Sequence, residues 1–331
     1  MKEHEFRAYC ATRHFSSEQV EEAVAAVHRF EDFTGSNGAT LESASVELLR
    51  TYISELISSG GNSPKQLLAL ARYCFVAGNY DLYVYFAGVL GGRTVIPSLA
   101  SRTAEIAGDS VREQVFSDVS LPPLGSPQER YPEVTRQILE GLQSRLPIEV
   151  CKDILAGNHH QMPTDAFEEH KQAYRAAGIS GLLRYRREQL MSELEEHARS
   201  GKPWYEQMIT PEVVQMVRQN PEIQAGVQAG DSIFVAKIPY APVAYLRETD
   251  PRLKRYYQCH CPLARASILD ESLPVSPLFC YCSGGYEKLV FDVVFGQPVQ
   301  VELVESALAG DLRCRFKIRV PQSVAAREVG E

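Results

Sequence analysis

The spacing of apolar residues changes once along this 331-residue chain, close to Asp231. Across residues 16–219, apolar side chains recur every three or four positions, which predicts a succession of amphipathic helices, among them separate ones over residues 165–177 and 182–200. Ser16 and Gln19 fit a capping box at the start of one of these helices. Residues 232–238 form a short apolar run typical of a strand, and residues 299–306 and 312–320 alternate as half-buried strands do. The predicted fold class is therefore α+β: an all-helical N-terminal module, then a C-terminal α+β domain with helices over a small antiparallel sheet.

The domain boundary is predicted from the distribution of proline. Residues 117–132 contain four prolines and are the best candidate for a linker. We therefore predict a helical module over residues 1–120 and an α+β domain over residues 132–331. Each of these two segments is long enough to bury a hydrophobic core of its own.

Charge and hydropathy restrict the partners that the chain is expected to have. The formal net charge of −8 argues against broad nucleic-acid binding, which needs a basic surface. No apolar run approaches the roughly 18 residues of a membrane helix, and the polar start at residues 1–5 is unlike a signal peptide. We expect a cytoplasmic protein that has no membrane partner, binds a small molecule in an apolar pocket, and could form a homodimer.

Cysteine is the residue type whose distribution is most uneven. Five of the eight cysteines lie between residues 256 and 320, four of them in two Cys-x-Cys pairs. These five are Cys259, Cys261, Cys280, Cys282 and Cys314. In a reducing compartment such thiols are free, bind a metal or act as nucleophiles. A Cys-x-Cys pair favours a metal because so small a disulfide ring is strained. The sequence therefore predicts a metal site or a reactive-thiol site.

The last two predicted strands indicate which residues face the core. If the hairpin turn is centred between Ala309 and Gly310, Glu305 stands opposite Cys314 and both side chains point inward. A carboxylate in an apolar layer is costly unless it has a partner, so a buried glutamate beside a thiol suggests a shared cation. The alternative is that Glu305 reaches solvent and that Cys314 is an ordinary core thiol.

Zinc is the metal that these residue types favour, because a structural zinc ion takes four ligands and thiolates are common among them. The predicted ligands are Cys280, Cys282, Glu305 and Cys314, with Cys259 and Cys261 as substitutes. His260 stands between two cysteines and is expected to point away from the metal. Zinc bound in this way would add its binding free energy to the stability of the fold.

An enzymatic alternative treats Cys282 as the nucleophile of a hydrolase that acts on a small molecule. Cys282 precedes a predicted helix that starts at the Gly284–Gly285 pair, where amide N–H groups and the helix dipole stabilise a thiolate. The predicted base is His260, or else His159 or His160. On sequence alone, the binding module and the enzyme both remain hypotheses.

The C-terminal residues resemble known families. The segment from Cys282 to Phe316, with the pattern Val-Glu-Leu-Val-Glu at residues 301–305, resembles the 4-vinyl reductase domain family. The pattern Gly-Asp-x-x-Cys-x-Phe at residues 310–316 is also similar to domains related to bacterial aminothiazoline-carboxylate hydrolases. A longer signature, from Lys237 through Cys282, looks like an uncharacterised bacterial family.

The vinyl reductase resemblance implies a fold like that of heme-nitric-oxide-binding proteins and TRAPP subunits, with an apolar ligand pocket among helices over a sheet. In sensor members of that group, a structural zinc is held by a cysteine before a helix, a Glu-x-x-Cys motif and a final cysteine. Cys282, Glu305 and Cys314 match three of these positions, while the fourth is Leu308 and another C-terminal cysteine would have to replace it. The function implied is small-ligand binding of a sensor-like kind, with a zinc site.

The N-terminal part resembles a different family. The order of short helices over about the first ninety residues resembles the SAM-like core-binding domain of tyrosine recombinases. The spaced Arg, His and Tyr set of a recombinase catalytic domain does not follow it. A helical scaffold or dimerisation module is therefore the main expectation for this part, and DNA binding is the alternative.

Overall fold

A computed structural model of the protein describes residues 1–328 and has the predicted α+β architecture. The chain divides into two compact units. The first comprises residues 1–93 and 121–130, and the second comprises residues 94–120 and the chain from Tyr131 onward. The prediction of a helical N-terminal part and a C-terminal part with a small antiparallel sheet is confirmed.

The first unit is built from five helices. They are α1 (Glu3–Thr12), α2 (Ser17–Ser36), α3 (Val46–Ser59), α4 (Pro64–Ala77) and α5 (Tyr80–Leu90). The predicted capping box starts α2, because the Ser16 side chain accepts a hydrogen bond from the backbone N–H of Gln19 and the Gln19 side chain accepts one from that of Ser16. Phe30 and Tyr52 meet in the core of this unit, with ring centroids 4.9 Å apart.

The bounds of the two units differ from the predicted division at residues 120–132. Within the predicted linker, residues 121–130 pack with the first unit, where the Asn62 side chain donates to the carbonyl of Leu124 at 2.9 Å. Residues 94–120 instead form two helices of the second unit, α6 (Val95–Ala107) and α7 (Asp109–Phe116). The chain thus leaves the first unit and returns to it, which a proline count does not reveal.

The second unit contains the sheet and the remaining helices. Its further helices are α8 (Pro132–Gln143), α9 (Ile148–Leu155), α10 (Glu168–Ser200), α11 (Pro211–Gln219), α12 (Pro242–Arg247), α13 (Pro251–Gln258), α14 (Tyr281–Phe295) and α15 (Gln322–Glu328). Its strands are β1 (Val227–Ala229), β2 (Ser232–Ala236), β3 (Val301–Glu305) and β4 (Arg315–Arg319). Helix α10 is broken at Ala177 and Gly178, and Gly178 has a φ of 61° that favours glycine. The break agrees with the two separate helices that the apolar spacing predicts there.

The sheet and helix α14 bring the cysteine-rich segments to one place. The four strands are all antiparallel, in the order β1-β2-β4-β3. Val290 and Phe291 of α14 belong to the same buried cluster as Ile233 and Ile318 of the central strands. The backbone N–H of Lys237, just after β2, donates to the carbonyl of Cys314, just before β4, at 2.9 Å. The end of β2 and the start of β4 are therefore adjacent.

One helical stretch, Tyr80–Ala107, is long and apolar enough to cross a membrane by length and composition, with a mean hydropathy of 1.2 in its best window. The sequence predicts no apolar run of this length. Of that window, 44% is buried inside the protein, as it would be in core helices. This stretch is therefore compatible with a soluble protein.

Candidate functional site

The five C-terminal cysteines come from three segments of the chain that meet in the second unit. Cys259 and Cys261 follow α13, Cys280 directly precedes α14, Cys282 is in the first turn of α14, and Cys314 directly precedes β4. All five are free thiols. We call these five side chains the thiol cluster, because the electrostatic effects described next connect every one of them to another.

Within the thiol cluster, each thiol is held in its neutral form. Burial raises the pKa of Cys259, Cys261, Cys282 and Cys314 to about 12, and raises that of Cys280 well above its ordinary value. Neighbouring thiols add to this effect: Cys314 and Cys259 raise the pKa of Cys280, and Cys282 raises that of Cys261. Ser306 lies against the cluster, with its Oγ 3.0 Å from Sγ of Cys280.

Glu305 pairs with Arg313 rather than with the thiol cluster, and its place among the metal ligands stays a prediction. The predicted register holds at the open end of the hairpin, where Leu303 pairs with Phe316. A bulge between Leu303 and Glu305 then shifts Glu305 opposite Arg315. Its carboxylate accepts two hydrogen bonds of 2.6 Å from Arg313, and the side chain is 24% exposed. Of the two sequence hypotheses, the one in which Glu305 turns away from the core and Cys314 is a core thiol fits this geometry.

Two of the three histidines named as candidate bases, His159 and His260, are held by other groups. His260 donates from Nε2 to the carbonyl of Ile238 at 2.6 Å. His159 uses both ring nitrogens, with Nε2 donating to Ile154 O at 2.8 Å and Nδ1 lying 3.0 Å from the Ser98 hydroxyl. The geometry therefore offers neither His159 nor His260 as a base for a Cys282 nucleophile.

Cys282 itself has the wrong electrostatics for a nucleophile at neutral pH. Cys282 is 4% exposed. Burial raises the pKa of its thiol to about 12, although the charge of Lys237 lowers that pKa. A reactive cysteine needs a lowered thiol pKa and access to its substrate. Desolvation at this position outweighs the stabilisation that the start of α14 offers a thiolate.

Because Cys282 is buried, we expect its thiol to be alkylated slowly in metal-free protein. At pH 7.5, iodoacetamide is expected to alkylate Cys282 in native protein at least about 100-fold more slowly than in protein unfolded in urea, because the thiolate fraction falls tenfold for each unit of raised pKa. Peptide mapping by mass spectrometry after timed quenching measures the rate at each cysteine. Cys151, another buried thiol of the same unit, is the internal control. A Cys282 that reacts faster than the unfolded chain would restore the hydrolase hypothesis.

Lys237 is the functional candidate that the sequence analysis missed. Lys237 is only 8% exposed and Glu287 only 4% exposed. The Nζ atom of Lys237 lies 3.2 Å from Oε1 of Glu287. Burial by itself would lower the pKa of Lys237, but Glu287 and Tyr286 raise it above the ordinary value, so the side chain stays protonated. Nζ also lies 5.1 Å from the ring centroid of Tyr286. Lys237 is thus a buried cation beside the thiol cluster.

Four side chains that keep part of their surface accessible interact electrostatically with Lys237. They are His160, Glu206, His260 and Tyr286. Desolvation is nevertheless the largest influence on the pKa of each one.

One sequence signal could have identified Lys237. It follows directly on β2, a strand whose ends are both buried, and it precedes the fully buried Ile238. A lysine within such a run cannot reach water easily and must find an anionic partner. The partner, Glu287, lies on the mostly buried helix α14, where a glutamate is equally unusual.

Gly285 fixes how α14 meets the segment that carries His160. A Cβ built on Gly285 would lie 2.5 Å from the carbonyl oxygen of Gly157 and 2.6 Å from the carbonyl carbon of Ala156. The helix therefore approaches the backbone after α9 so closely that no side chain fits between them. The rings of His160 and Tyr286 are in edge-to-face contact, with centroids 5.4 Å apart.

The thiol cluster and Lys237 all lie within one region that is shared with other sequences. Residues 222–325 match a family of unknown function (DUF6144). No curated protein and no solved structure matches the chain. The resemblances to 4-vinyl reductases, aminothiazoline-carboxylate hydrolases and tyrosine recombinases therefore stay predictions.

Proposed function

We propose that the second unit is a sensor-like small-ligand-binding module whose thiol cluster holds a structural zinc ion. The observation that carries this proposal is the convergence of five cysteines from three separate segments in one desolvated cluster. Unpaired thiols are not needed to fill a core, whereas thiolates are the preferred ligands of zinc. The proposal includes a cytoplasmic location, where reduced thiols are maintained.

Four of the five thiols are the proposed ligands: Cys259, Cys261, Cys280 and Cys314. Cys280 is influenced electrostatically by each of the other three, and Cys259 by Cys261. Cys282 is linked only to Cys261 among the thiols, so it is left out of the set. Compared with the sequence prediction, this set replaces Glu305 and Cys282 by the first Cys-x-Cys pair.

The donor chemistry fits zinc, but the side chains are not yet arranged around it. Among the residues that the structure describes, no group of three or more His, Cys, Asp or Glu side chains is positioned to hold a metal ion. Zinc binding therefore requires the four thiols to rotate toward a common point and to lose their protons. Lys237 lowers the pKa of Cys259, Cys261 and Cys314 and would offset part of the negative charge of bound thiolates.

Metal analysis tests this proposal. Protein expressed with added zinc and purified without chelator is expected to contain about one zinc ion per chain. Replacement of either Cys280 or Cys314 by serine should remove most of it, and addition of a chelator should lower the melting temperature of the wild-type protein by about 5 °C or more.

Three matched variants sharpen the metal analysis. Cys151→Ser removes a buried thiol of the same unit that lies outside the thiol cluster, so it should leave the zinc content unchanged. Glu305→Gln and Cys282→Ser should also leave it unchanged, whereas the ligand set predicted from sequence requires both residues. Wild-type protein without zinc, or equal zinc loss in Cys151→Ser and Cys280→Ser, would contradict the proposed zinc site.

A further inference from the structure

We infer that the first unit carries a dimerisation surface and that its partner is a second copy of this chain. The surface is a row of aromatic side chains that crosses three helices, with a cation at one end and an anion at the other. This inference goes beyond the proposed function, because it uses only residues of the first unit, which contains neither the thiol cluster nor Lys237.

Four rings form the row, each in contact with the next. Tyr9 of α1 lies against Phe75 of α4, with ring centroids 6.3 Å apart. Phe75 in turn lies against Tyr80 and Tyr83 of α5, at 6.0 Å and 5.3 Å. We call these four side chains the aromatic row. All four keep part of their surface exposed, so the row lies at the surface of the chain rather than in its core.

Helix α5 lacks the charged outer face of an ordinary surface helix. Of its eleven residues, only Asp81 is charged. The helix packs against α3 and α4, yet part of its apolar surface stays exposed, at Tyr80, Tyr83, Val84 and Ala87. A helix that is apolar all round is normally buried on every side. One copy of the chain thus leaves part of an apolar helix in contact with water.

The two ends of the aromatic row carry opposite charges. At the α1 end, the guanidinium of Arg13 lies over the ring of Tyr9, 5.4 Å from its centroid. At the α5 end, Asp81 directly follows Tyr80. Arg13 and Asp81 are both exposed, and the ion pairs that the structure describes in the first unit are formed by other residues. A cation and an anion are therefore available to a partner at opposite ends of one aromatic surface.

Three further charged residues border the aromatic row: Lys2, Glu5 and Arg72. Lys2 donates from Nζ to the carbonyl of Ala77 at 3.1 Å, and the guanidinium of Arg72 lies over the ring of Phe15, 4.7 Å from its centroid. Glu5 is exposed on the same side of α1 as the row, because it lies one helical turn before the ring of that helix. Glu5 is thus a second carboxylate that the cation of another copy can reach, and a variant of it separates the two arrangements.

Two-fold symmetry makes this surface complementary to itself. In a C2 dimer both copies use the same patch, so the α1 end of one aromatic row lies over the α5 end of the other. Arg13 of each copy then meets Asp81 of the second copy, and the rings pack between these two ion pairs. Aromatic residues are enriched and charged residues are depleted at the centre of such interfaces. A second copy supplies the row and its reversed end charges by symmetry alone.

Charge reversal in separate and mixed variants tests this inference. Sedimentation equilibrium of the full-length wild-type protein is expected to give a dimer with a Kd of about 1–100 μM. Arg13→Asp and Asp81→Arg should each weaken this dimer at least about tenfold, because like charges then meet at both ends. An equimolar mixture of the two variants should dimerise within about threefold of the wild type, because each contact then joins an aspartate to an arginine.

Glu5→Arg is the matched control, because it makes the same kind of charge change on the same side of the unit but outside the proposed ion pairs. It should dimerise as the wild type does, and its mixture with Arg13→Asp should stay as weak as Arg13→Asp alone. Tyr80→Ser removes one ring without a change of charge and should weaken the dimer at least about tenfold. Circular dichroism and the melting temperature establish that each variant is folded.

Several outcomes would overturn the inference. They are a monomeric wild type at every concentration up to about 200 μM, a mixture of Arg13→Asp and Asp81→Arg that stays as weak as either variant alone, and rescue of Arg13→Asp by Glu5→Arg. Flotation of the monomer with neutral phosphatidylcholine vesicles would also overturn it, because the apolar stretch Tyr80–Ala107 would then have a lipid partner instead of a second copy.

Discussion

Replacement of Glu287 by glutamine is expected to lower the free energy of unfolding of the second unit by about 3–5 kcal/mol, the usual cost of breaking a buried ion pair by removing one partner. The side chains of Glu287 and Lys237 are 3% and 8% exposed, so solvent screens their interaction little. Without the carboxylate, the ammonium of Lys237 would stay buried with no carboxylate partner among the described residues. The cost arises from this stranded cation rather than from a lost hydrogen bond.

Removal of both charges should lower the free energy of unfolding less than removal of one charge. In Lys237→Met/Glu287→Leu, neither charge is left buried, and apolar side chains take over the packing. We therefore expect this double variant to be more stable than the Glu287→Gln variant. A double-mutant cycle with Glu287→Leu and Lys237→Met as single variants gives the coupling energy between the two sites.

Urea unfolding, monitored by tryptophan fluorescence, measures the free energy of unfolding of each variant. The single tryptophan, Trp204, belongs to the second unit, so its signal is not mixed with unfolding of the first unit. Glu302→Gln is the control, because Glu302 forms an exposed pair with Arg319 and should cost less than about 1 kcal/mol. If Glu287→Gln costs no more than Glu302→Gln, the loss of Glu287 does not strand a buried cation at Lys237.

Replacement of Gly285 by alanine is the second change with a large expected effect. A Cβ at this position would overlap the backbone of Gly157 and Ala156, at 2.5 Å and 2.6 Å. Backbone atoms cannot rotate away as a side chain can, so α14 would have to move. We expect a loss of about 2–3 kcal/mol by urea unfolding, in spite of the roughly 1 kcal/mol that alanine gains over glycine in a helix.

Gly284→Ala is the matched control, one residue earlier in the same helix. A Cβ on Gly284 would meet only side-chain atoms of Val301 and Phe316, at 3.3 Å and 3.4 Å. These can shift by a few tenths of an ångström, so the gain in helix propensity should roughly balance the cost. Equal effects of the two substitutions would show that Gly285 does not set the position of α14.

Local patterns in the sequence were sufficient for much of the fold. The capping box at Ser16 placed the start of α2 correctly, and the alternation of residues 299–320 gave the pairing of Leu303 with Phe316. Signals of this kind depend on residues that are neighbours along the chain or across one turn. They therefore need no knowledge of the rest of the molecule.

The candidate site depended on contacts that are distant in sequence. The clustering of cysteines in the last third of the chain was visible in the sequence, but which thiols adjoin one another was not. A single bulge after Leu303 was enough to move Glu305 from the expected inward position to a pair with Arg313. One extra residue in a strand changes the face of every side chain beyond it, and alternation alone does not reveal where such a residue lies.

The sequence by itself determined the order of helices and strands, their caps, and the segment in which the unusual residues are concentrated. Only the tertiary structure decided that Lys237 is buried against Glu287, and that the backbone of Gly157 lies against Gly285. The reason is physical. Secondary structure follows from short-range sterics and apolar periodicity, whereas the pairing of buried charges and the closest backbone contacts follow from how distant elements pack together.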